Sequence, residues 1–261
     1  MNEILIPIGL VGLIGLVAGT LIALASRFFA VKEDEQTARI REALPGANCG
    51  ACGYTGCDGY AAAISKEHAD PGLCVPGGAK TAQALSQLLG VEIAAQEKKA
   101  FVRCSGDCYH AKKQYAYNGM ESCAAAATLY GGILSCSAGC QGMGDCVRVC
   151  EKNAIAVYDG VARVDPSRCS GCGKCAKVCP KELIQIVPAS ARIAVACHNT
   201  EKGGTTMKQC SAGCIGCRKC LKECPTGAVA VNDFLATIDP EKCTGCEECL
   251  LACPRGVIRT I

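Results

Sequence analysis

The chain has 261 residues, enough for more than one domain, yet it contains 25 Cys, four Phe and no Trp. So few large aromatic side chains exclude a core built mainly on them, and other groups must replace that packing. The formal net charge is +3, a count that omits any metal centre the chain binds.

The first predicted element is an apolar run from Ile4 to Ala25 that contains no charged side chain. As a helix it would be about 33 Å long, which matches a bilayer core of about 30 Å. A cleaved signal peptide is the alternative, but no Lys or Arg precedes the run, whereas Arg27 and Lys32 follow it. We therefore expect a single transmembrane helix in residues 1–26, with the remainder of the chain on the cytoplasmic side.

The second predicted element is a four-cysteine module over residues 27–90. Its cysteines are Cys49, Cys52, Cys57 and Cys74. Glycines between the first three allow the positive φ values that a cluster-binding loop needs. We interpret the module as a [4Fe–4S] site; zinc is the alternative that the spacing also permits. The sequence predicts polar helical structure in Lys32–Leu44 and an amphipathic helix over Thr81–Leu89 that closes the module.

A connecting segment over residues 91–135 has weaker organisation. It contains Cys104, Cys108 and Cys123 in a stretch without strong periodicity. Cysteine is often a small buried core residue, so these three are either free thiols or additional ligands.

The rest of the chain repeats itself at a fixed offset, so that Cys136 matches Cys210 and Cys179 matches Cys253. The run Cys169, Cys172, Cys175, Cys179-Pro180 recurs in the second copy. In two-cluster ferredoxins three cysteines of such a run hold one cluster and the fourth holds its neighbour. Disulfides and tetrahedral zinc suit this dense spacing less well.

We therefore predict a two-cluster ferredoxin unit over residues 136–187 and another over 188–261. Segments 154–166 and 228–240 each predict two strands joined by a polar turn. The fold class expected for the chain is α+β: one transmembrane helix, a small [4Fe–4S] module and tandem ferredoxin-like units. The predicted cluster ligands of the two units are Cys136, Cys140, Cys146, Cys150, Cys169, Cys172, Cys175, Cys179, Cys214, Cys217, Cys220, Cys224, Cys243, Cys246, Cys249 and Cys253.

One loop departs from the pattern, because Met143 occupies the position that matches Cys217. Two arrangements are open. In the simpler one Cys136 replaces the missing ligand, so that a [4Fe–4S] cluster is bound by Cys136, Cys140, Cys146 and Cys179. In the other, the site holds a [3Fe–4S] cluster, and a sixth cluster is bound by Cys104, Cys108, Cys123 and Cys136. Cys197 and Cys210 are surplus in the second unit.

The sequence thus predicts about five [4Fe–4S] clusters, with a sixth cluster or a [3Fe–4S] cluster as variants. Five such centres at about −2 each would make the loaded chain acidic, so the basic formal charge does not indicate nucleic acid. So many reduced thiolates also indicate a reducing compartment.

The order of these parts resembles the B-subunit family of the Rnf complex, the membrane-bound ferredoxin:NAD oxidoreductase, in its clostridial-type form. The resemblance covers essentially the whole chain. It implies that soluble reduced ferredoxin is the electron donor. It also implies that the acceptors are other Rnf-type membrane subunits, which reduce NAD and translocate Na⁺ or H⁺.

The resemblance also implies which cysteines bind each cluster, because they occupy positions that match the ligands of the family. Cys49, Cys52, Cys57 and Cys74 match the ligands of the first module. Three ferredoxin clusters are matched by Cys150 with Cys169, Cys172 and Cys175, by Cys253 with Cys214, Cys217 and Cys220, and by Cys224 with Cys243, Cys246 and Cys249. The loop that contains Met143 is where the family pattern fails.

The residues indicate electron transfer and no bond-making chemistry in this chain. It contains no Gly-x-Gly-x-x-Gly after a predicted strand, no phosphate-binding loop and no nucleophile–base pair. Two other functions stay open: electron transfer in another membrane oxidoreductase, such as a hydrogenase, and iron–sulphur redox sensing. Basic residues beside the cysteine loops could dock an acidic ferredoxin. They are Lys174, Lys177, Lys181, Arg218, Lys219 and Lys222.

Overall fold

The computed structural model describes residues 2–28, 34–95 and 97–261. In these ranges the α-helices are Asn2–Phe28 (α1), Glu35–Ala43 (α2), Cys57–Glu67 (α3), Gly78–Leu89 (α4), Cys123–Thr128 (α5), Asp145–Arg148 (α6), Lys174–Lys177 (α7), Gly203–Gln209 (α8), Lys219–Lys222 (α9) and Glu248–Leu251 (α10). The strands are Lys98–Val102 (β1), Ile155–Tyr158 (β2), Val161–Val164 (β3), Ile184–Pro188 (β4), Ile193–Val195 (β5), Val229–Asn232 (β6), Leu235–Ile238 (β7) and Ile258–Thr260 (β8). The structure is therefore mixed helix and strand, as the sequence predicts.

Helix α1 is the longest element and contains 27 residues. The structure describes its side chains over residues 12–25, where large apolar groups such as Leu16 and Ile22 are exposed. The Thr20 hydroxyl is satisfied within the helix, since it donates to the carbonyls of Leu16 and Val17 at 2.9 Å. In the described residues, no helix meets the combined length and apolarity needed to cross a membrane.

The first module is a small three-helix unit, in which α2 packs against both α3 and α4. Ile40, Tyr60 and Leu85, one from each helix, are almost fully buried at its centre. Asp34 begins α2 by accepting a hydrogen bond from Gln36 N, and its other oxygen accepts one from Ser65 on α3. The predicted amphipathic helix corresponds to α4, which begins earlier than expected, at Gly78.

The strands form four two-stranded antiparallel sheets in the described part of the chain. Two of these sheets, β2–β3 and β6–β7, are the local hairpins predicted from the repeat. The other two, β1–β4 and β5–β8, join segments that are distant in sequence. Strand β1 belongs to the segment that we predicted only as a connection, yet it pairs with the last strand of the first ferredoxin unit.

The two long-range sheets reveal the true equivalence of the two ferredoxin units. Val102 on β1 pairs with Ile184, and Val195 on β5 pairs with Ile258. The chain between the first pair is longer than the chain between the second, so the first unit contains an insertion. The insertion lies before the repeat begins at Cys136. If the offset of the repeat is extended to residues before Cys136, it matches Cys123 with Cys197. The strand pairing shows that these two cysteines are not equivalent.

The core of each ferredoxin unit is made of aliphatic side chains and cysteine sulphur together. In the second unit Val229, Leu235 and Val257 pack with Cys214 and Cys220. The first unit has the same arrangement around Val161 and Leu183. Because sulphur atoms lie within each core, the cysteines predicted as cluster ligands are also core-packing residues.

Tyr60 supplies the polar tie that holds the loop before Cys74. Its hydroxyl donates to the carbonyl of Asp70 at 2.7 Å and accepts from Leu73 N at 3.1 Å. Tyr60→Phe removes these two part-buried hydrogen bonds, each worth about 0.5–1.5 kcal/mol. We expect amide hydrogen exchange in residues 57–74 to accelerate by about 5- to 100-fold, measured by mass spectrometry on the anaerobic protein.

Tyr54→Phe is the matched control, since its ring lies 5.3 Å from that of Tyr60 but its hydroxyl takes no part in these two bonds. Equal exchange rates in the two variants would show that the Tyr60 hydroxyl does not hold the loop.

Candidate iron–sulphur centres

The first module brings its four predicted ligands together. Cys57 begins α3, and its N–H donates to the side chain of Asn48 at 2.8 Å, which fixes the end of the glycine-rich loop. Gly50 and Gly53 have φ values of 65° and 90°, which glycine adopts without strain. Burial raises the pKa of the Cys74 thiol, and its neighbours Cys57, Cys49 and Cys52 raise it further. The group therefore has the four-thiol composition of a [4Fe–4S] site.

A second group of predicted ligands lines one cavity in the second ferredoxin unit. Its members are Cys214, Cys217, Cys220 and Cys253. Cys220 lies on α9, and Cys217 is exposed at the cavity mouth. Gly216 has a φ of 65°, and a Cβ there would lie 2.8 Å from the Cα of Phe234. The loop can therefore approach the β6–β7 hairpin only with glycine at this position.

The third group, also in the second unit, combines Cys224 with the loop of Cys243, Cys246 and Cys249. Burial raises the pKa of Cys249, and Cys243, Cys224 and Cys246 raise it further, so all four sulphurs are close. For Cys224 itself, burial is outweighed by hydrogen bonds from Thr226 and from backbone N–H groups, which lower the pKa of the thiol. Such N–H donors stabilise the thiolate form that binds iron.

The fourth group lies in the first ferredoxin unit and shares its cavity with the first module. Its members are Cys150, Cys169, Cys172 and Cys175. Pro45 and Pro76 of the first module line the same cavity. The sulphur of Cys169 accepts a hydrogen bond from Ala100 N at 3.3 Å, so strand β1 supports this group directly.

Lys177 links the first module to the first ferredoxin unit. Its ammonium group donates to the carbonyls of Cys49 at 3.1 Å and Gly50 at 3.4 Å. Neighbouring Lys174 pairs with Glu151 and interacts with both Cys172 and Cys49. The ligand loops of the two groups are therefore adjacent, as electron tunnelling between centres requires.

The fifth group forms around the loop that contains Met143, with a ligand that the sequence did not predict. Its members are Cys123, Cys140, Cys146 and Cys179. Burial, together with the nearby Cys140, Cys123, Cys175 and Cys179, raises the pKa of the Cys146 thiol to about 12. The Met143 side chain packs against an apolar cluster that includes Ala126 and Leu134.

Helix α5 delivers Cys123 to this group. The Asp145 carboxylate, directly before Cys146, accepts hydrogen bonds from Ala124 N at 3.1 Å and from the Ser122 hydroxyl at 3.0 Å. This clamp holds the first residue of α5, Cys123, beside Cys146. Since Cys123 lies in the segment that contains the insertion, the insertion places a cysteine beside the loop that lacks one.

Cys136 does not lie in the group in which we placed it. We predicted that it joins Cys140, Cys146 and Cys179, but it lines a different cavity with Cys104, Cys197 and Cys210. The reason is the backbone pairing of its segment, in which Ser135 N donates to Lys112 O at 2.8 Å. Cys108, by contrast, is exposed. The alternative set of Cys104, Cys108, Cys123 and Cys136 is therefore not assembled either.

These groups fit iron–sulphur clusters by their donor chemistry, because four cysteine thiolates are the ligands of a [4Fe–4S] centre. Bound there, a cluster stores and releases one electron. In the described ranges, no three or more His, Cys, Asp or Glu side chains are arranged as a site for a single metal ion.

Family profiles match the same segments. The profile described as "Putative Fe-S cluster" matches residues 44–76, which include the whole first group. The profile described as "4Fe-4S dicluster domain" matches residues 135–183, 168–228 and 213–257. Cys104 and Cys123 lie outside these ranges. The profiles thus support iron–sulphur binding in the first module and in both ferredoxin units.

Whole-chain comparison gives a more specific result. The chain is 41% identical over 244 residues to the B subunit of the Na(+)-translocating ferredoxin:NAD(+) oxidoreductase complex of Acetobacterium woodii, covering 93% of this chain and 73% of that protein. It is 41% identical over 242 residues to the B subunit of the proton-translocating ferredoxin:NAD(+) oxidoreductase complex of Clostridium ljungdahlii, covering 92% and 85%. This chain belongs to that family of B subunits.

A third relative extends the family beyond these two bacteria. The B subunit of the ion-translocating oxidoreductase complex of Methanosarcina acetivorans is 38% identical over 245 residues, which is 93% of each chain. The matches span both ferredoxin units as well as the first module. The resemblance inferred from the order of the sequence motifs is thus confirmed for the family.

The fifth group leads to a prediction for Cys123. We expect Cys123→Ala to convert this site to a three-thiol site that holds [3Fe–4S], visible as a new near-isotropic EPR signal in the oxidised protein and a loss of about one iron. Adding Met143→Cys to that variant restores the ligand position of Cys217 and should remove the signal.

Cys108→Ala is the control, since Cys108 is exposed in the same part of the chain. The assignment fails if Cys136→Ala, and not Cys123→Ala, produces the signal that Met143→Cys removes.

Proposed function

We propose that this B subunit accepts electrons from reduced ferredoxin and relays them to partner subunits that reduce NAD and translocate Na⁺ or H⁺. The observation that carries the proposal is the series of four-cysteine groups, in each of which two or three cysteines of one loop are joined by one or two distant cysteines. The relatives' names support the donor and the acceptor, since they describe ferredoxin:NAD(+) oxidoreductase complexes. Ion passage belongs to the partners, because the predicted single helix cannot itself form a path.

The groups are adjacent in an order that suits a relay. The first module contacts the group of Cys150 and Cys169 through Lys177 and the shared cavity. Cys146 and Cys175 interact electrostatically, which places the fifth and fourth groups side by side. In the second unit, helix α9 carries Cys220 of the second group and packs against helix α10, which carries Cys249 of the third group. Each ferredoxin unit therefore presents two neighbouring centres.

We infer that ferredoxin docks on the α9 face of the second unit. Three of the basic residues considered for docking are engaged within the protein: Lys174 with Glu151, Lys177 with Cys49 and Gly50, and Lys181 with Gly131. The other three, Arg218, Lys219 and Lys222, are exposed beside α9. Cys217 and Cys246 are also exposed, so the two cluster-binding loops of this unit reach the surface there.

Charge reversal on this face tests the docking proposal. We expect Lys219→Glu with Lys222→Glu to slow the bleaching of cluster absorbance by reduced ferredoxin by about 10-fold at low salt, because the attraction to an acidic partner is lost. Stopped-flow absorbance of the full, detergent-solubilised chain measures the rate. Added salt should slow the unmodified protein and leave the variant nearly unaffected.

Lys66→Glu, which reverses one exposed charge on α3 where the test variant reverses two, is the control and should keep the full rate. If Lys66→Glu slows bleaching as much, ferredoxin docks on the first module. If dithionite bleaches the clusters and ferredoxin does not, electrons reach this chain through another subunit and the proposed direction is wrong.

We further propose that α1 anchors the chain in the cell membrane as a single span, with the iron–sulphur modules on the cytoplasmic side. A helix of 27 residues is about 40 Å long, and the apolar run from Ile4 to Ala25 lies within it. Its described apolar side chains are exposed, so the protein itself does not bury them. Arg27 and Lys32 follow the run, which favours a cytoplasmic C-terminal side.

Protease treatment of membrane vesicles tests this topology. We expect protease to remove residues 34–261 from inverted vesicles and to leave them intact in right-side-out vesicles until detergent is added. Alkaline carbonate should leave the undigested chain in the membrane. Release of the chain by carbonate would exclude a spanning helix, and digestion in right-side-out vesicles would reverse the sidedness.

A further inference from the structure

Four cysteines outside the predicted ferredoxin pattern meet in one buried cavity at the junction of the two ferredoxin units. They are Cys104, Cys136, Cys197 and Cys210. Each side chain is buried, with relative exposures between 6% and 8%. They come from four separate segments, so the four do not form a motif that can be recognised in the sequence.

The two units contribute equivalent pairs of cysteines to this cavity. Cys104 lies two residues after the end of β1, and Cys197 lies two residues after the end of β5. Strands β1 and β5 occupy the same place in their units, since the register of the repeat matches their partners β4 and β8. Cys136 and Cys210 are matched by the repeat itself. The cavity is therefore lined by a quasi-symmetric set of four thiols.

The sulphur atoms converge on a common space. A Cβ on Gly106 would lie 3.2 Å from the Cys210 sulphur and 3.8 Å from the Cys104 sulphur, so glycine keeps that space open. Burial and, to a smaller extent, the neighbouring Cys197, Cys104 and Cys210 together raise the pKa of Cys136 to about 12, which agrees with their proximity.

Backbone N–H groups point at these sulphurs as they do at cluster thiolates. Cys214 N donates to the Cys197 sulphur at 3.4 Å. Cys104 accepts from the N–H groups of Cys140 and Gly106. Cys136 and Cys210 accept from Ala138 N and Ala212 N, respectively. These donors offset the cost of burying four ionised ligands.

We propose that Cys104, Cys136, Cys197 and Cys210 bind one further [4Fe–4S] cluster, which joins the two ferredoxin units. All four thiols are free, and a reducing compartment disfavours disulfides between them. This inference rests on one part of the proposed function, namely that the other four-cysteine groups bind clusters.

The position of this site explains what it would do. Cys140 of the fifth group donates its N–H to Cys104, and Cys214 of the second group donates its N–H to Cys197. The site therefore contacts the ligand loops of one group in each unit. A cluster held there supplies a one-electron relay between the units: one centre is oxidised as the next is reduced, and no bond is made or broken.

Metal analysis of the full, anaerobically purified chain in detergent tests the site. We expect about 24 iron and 24 sulphide atoms per chain from six cubanes, and about 20 of each in the double variant Cys136→Ala, Cys210→Ala. The spin count of the dithionite-reduced protein, measured by EPR, should fall by about one. Cys108→Ala, which removes an exposed cysteine near Cys104 in sequence, is the control and should keep about 24 iron.

Three results would overturn the site. The first is equal iron content in the double variant and the control. The second is about one zinc per unmodified chain that the double variant loses while its iron is unchanged. The third is an unmodified chain with about 20 iron whose Cys136 and Cys210 are alkylated as free thiols, a result that stands even if the double variant does not fold. Failure of ferredoxin to bleach the clusters would change none of these counts, so the two proposals fail separately.

Discussion

The structure depends on bringing four thiols from different segments into one buried space. Burial raises the pKa of Cys136 and Cys146 to about 12 and that of Cys220 to about 11, so these groups carry protons at neutral pH when iron is not bound. Iron binds the thiolate, and assembly must therefore release these protons. With no Trp and only four Phe, the chain packs its cysteine sulphurs among aliphatic side chains in the core itself, so cluster binding and folding are coupled.

Backbone conformation gives each ferredoxin loop its shape. A residue with positive φ comes directly before each of the one-turn helices α6, α7, α9 and α10, and the last cysteine of the loop is the second residue of that helix. The first two such residues are Gly144 and Gly173, which adopt this conformation freely. The other two are Arg218 and Glu247, where it costs about 1–2 kcal/mol. That strain is held at the loops of the second unit, where the cysteines reach the surface.

The spacing of cysteines and apolar residues along the sequence predicted the features that a short stretch of chain determines. The features that depend on pairing between distant segments were not predicted. The loop-plus-distant-cysteine pattern identified the groups closed by Cys74, Cys150, Cys224 and Cys253, and alternation identified both hairpins. Strand β1 was missed because its alternating pattern covers only five residues and because its partner β4 follows both cysteine loops of the first unit in the sequence. The same strand sets the position of Cys104, so the junction site could not be predicted without it. One signal was available: both repeats carry a surplus cysteine four residues before their first loop, at 136 and 210.

The insertion in the first unit compensates for the cysteine that is missing from its loop. In the second unit Cys217 completes its group, which leaves Cys197 free to line the junction cavity. In the first unit Met143 replaces that cysteine, and Cys104 lines the same cavity from the matching position. The loop would then lack a fourth thiol, but the inserted segment carries α5, whose first residue supplies one. Met143 packs against the apolar cluster to which Ala126 of that same helix belongs, so the residue that replaces a ligand and the helix that supplies one share a cluster.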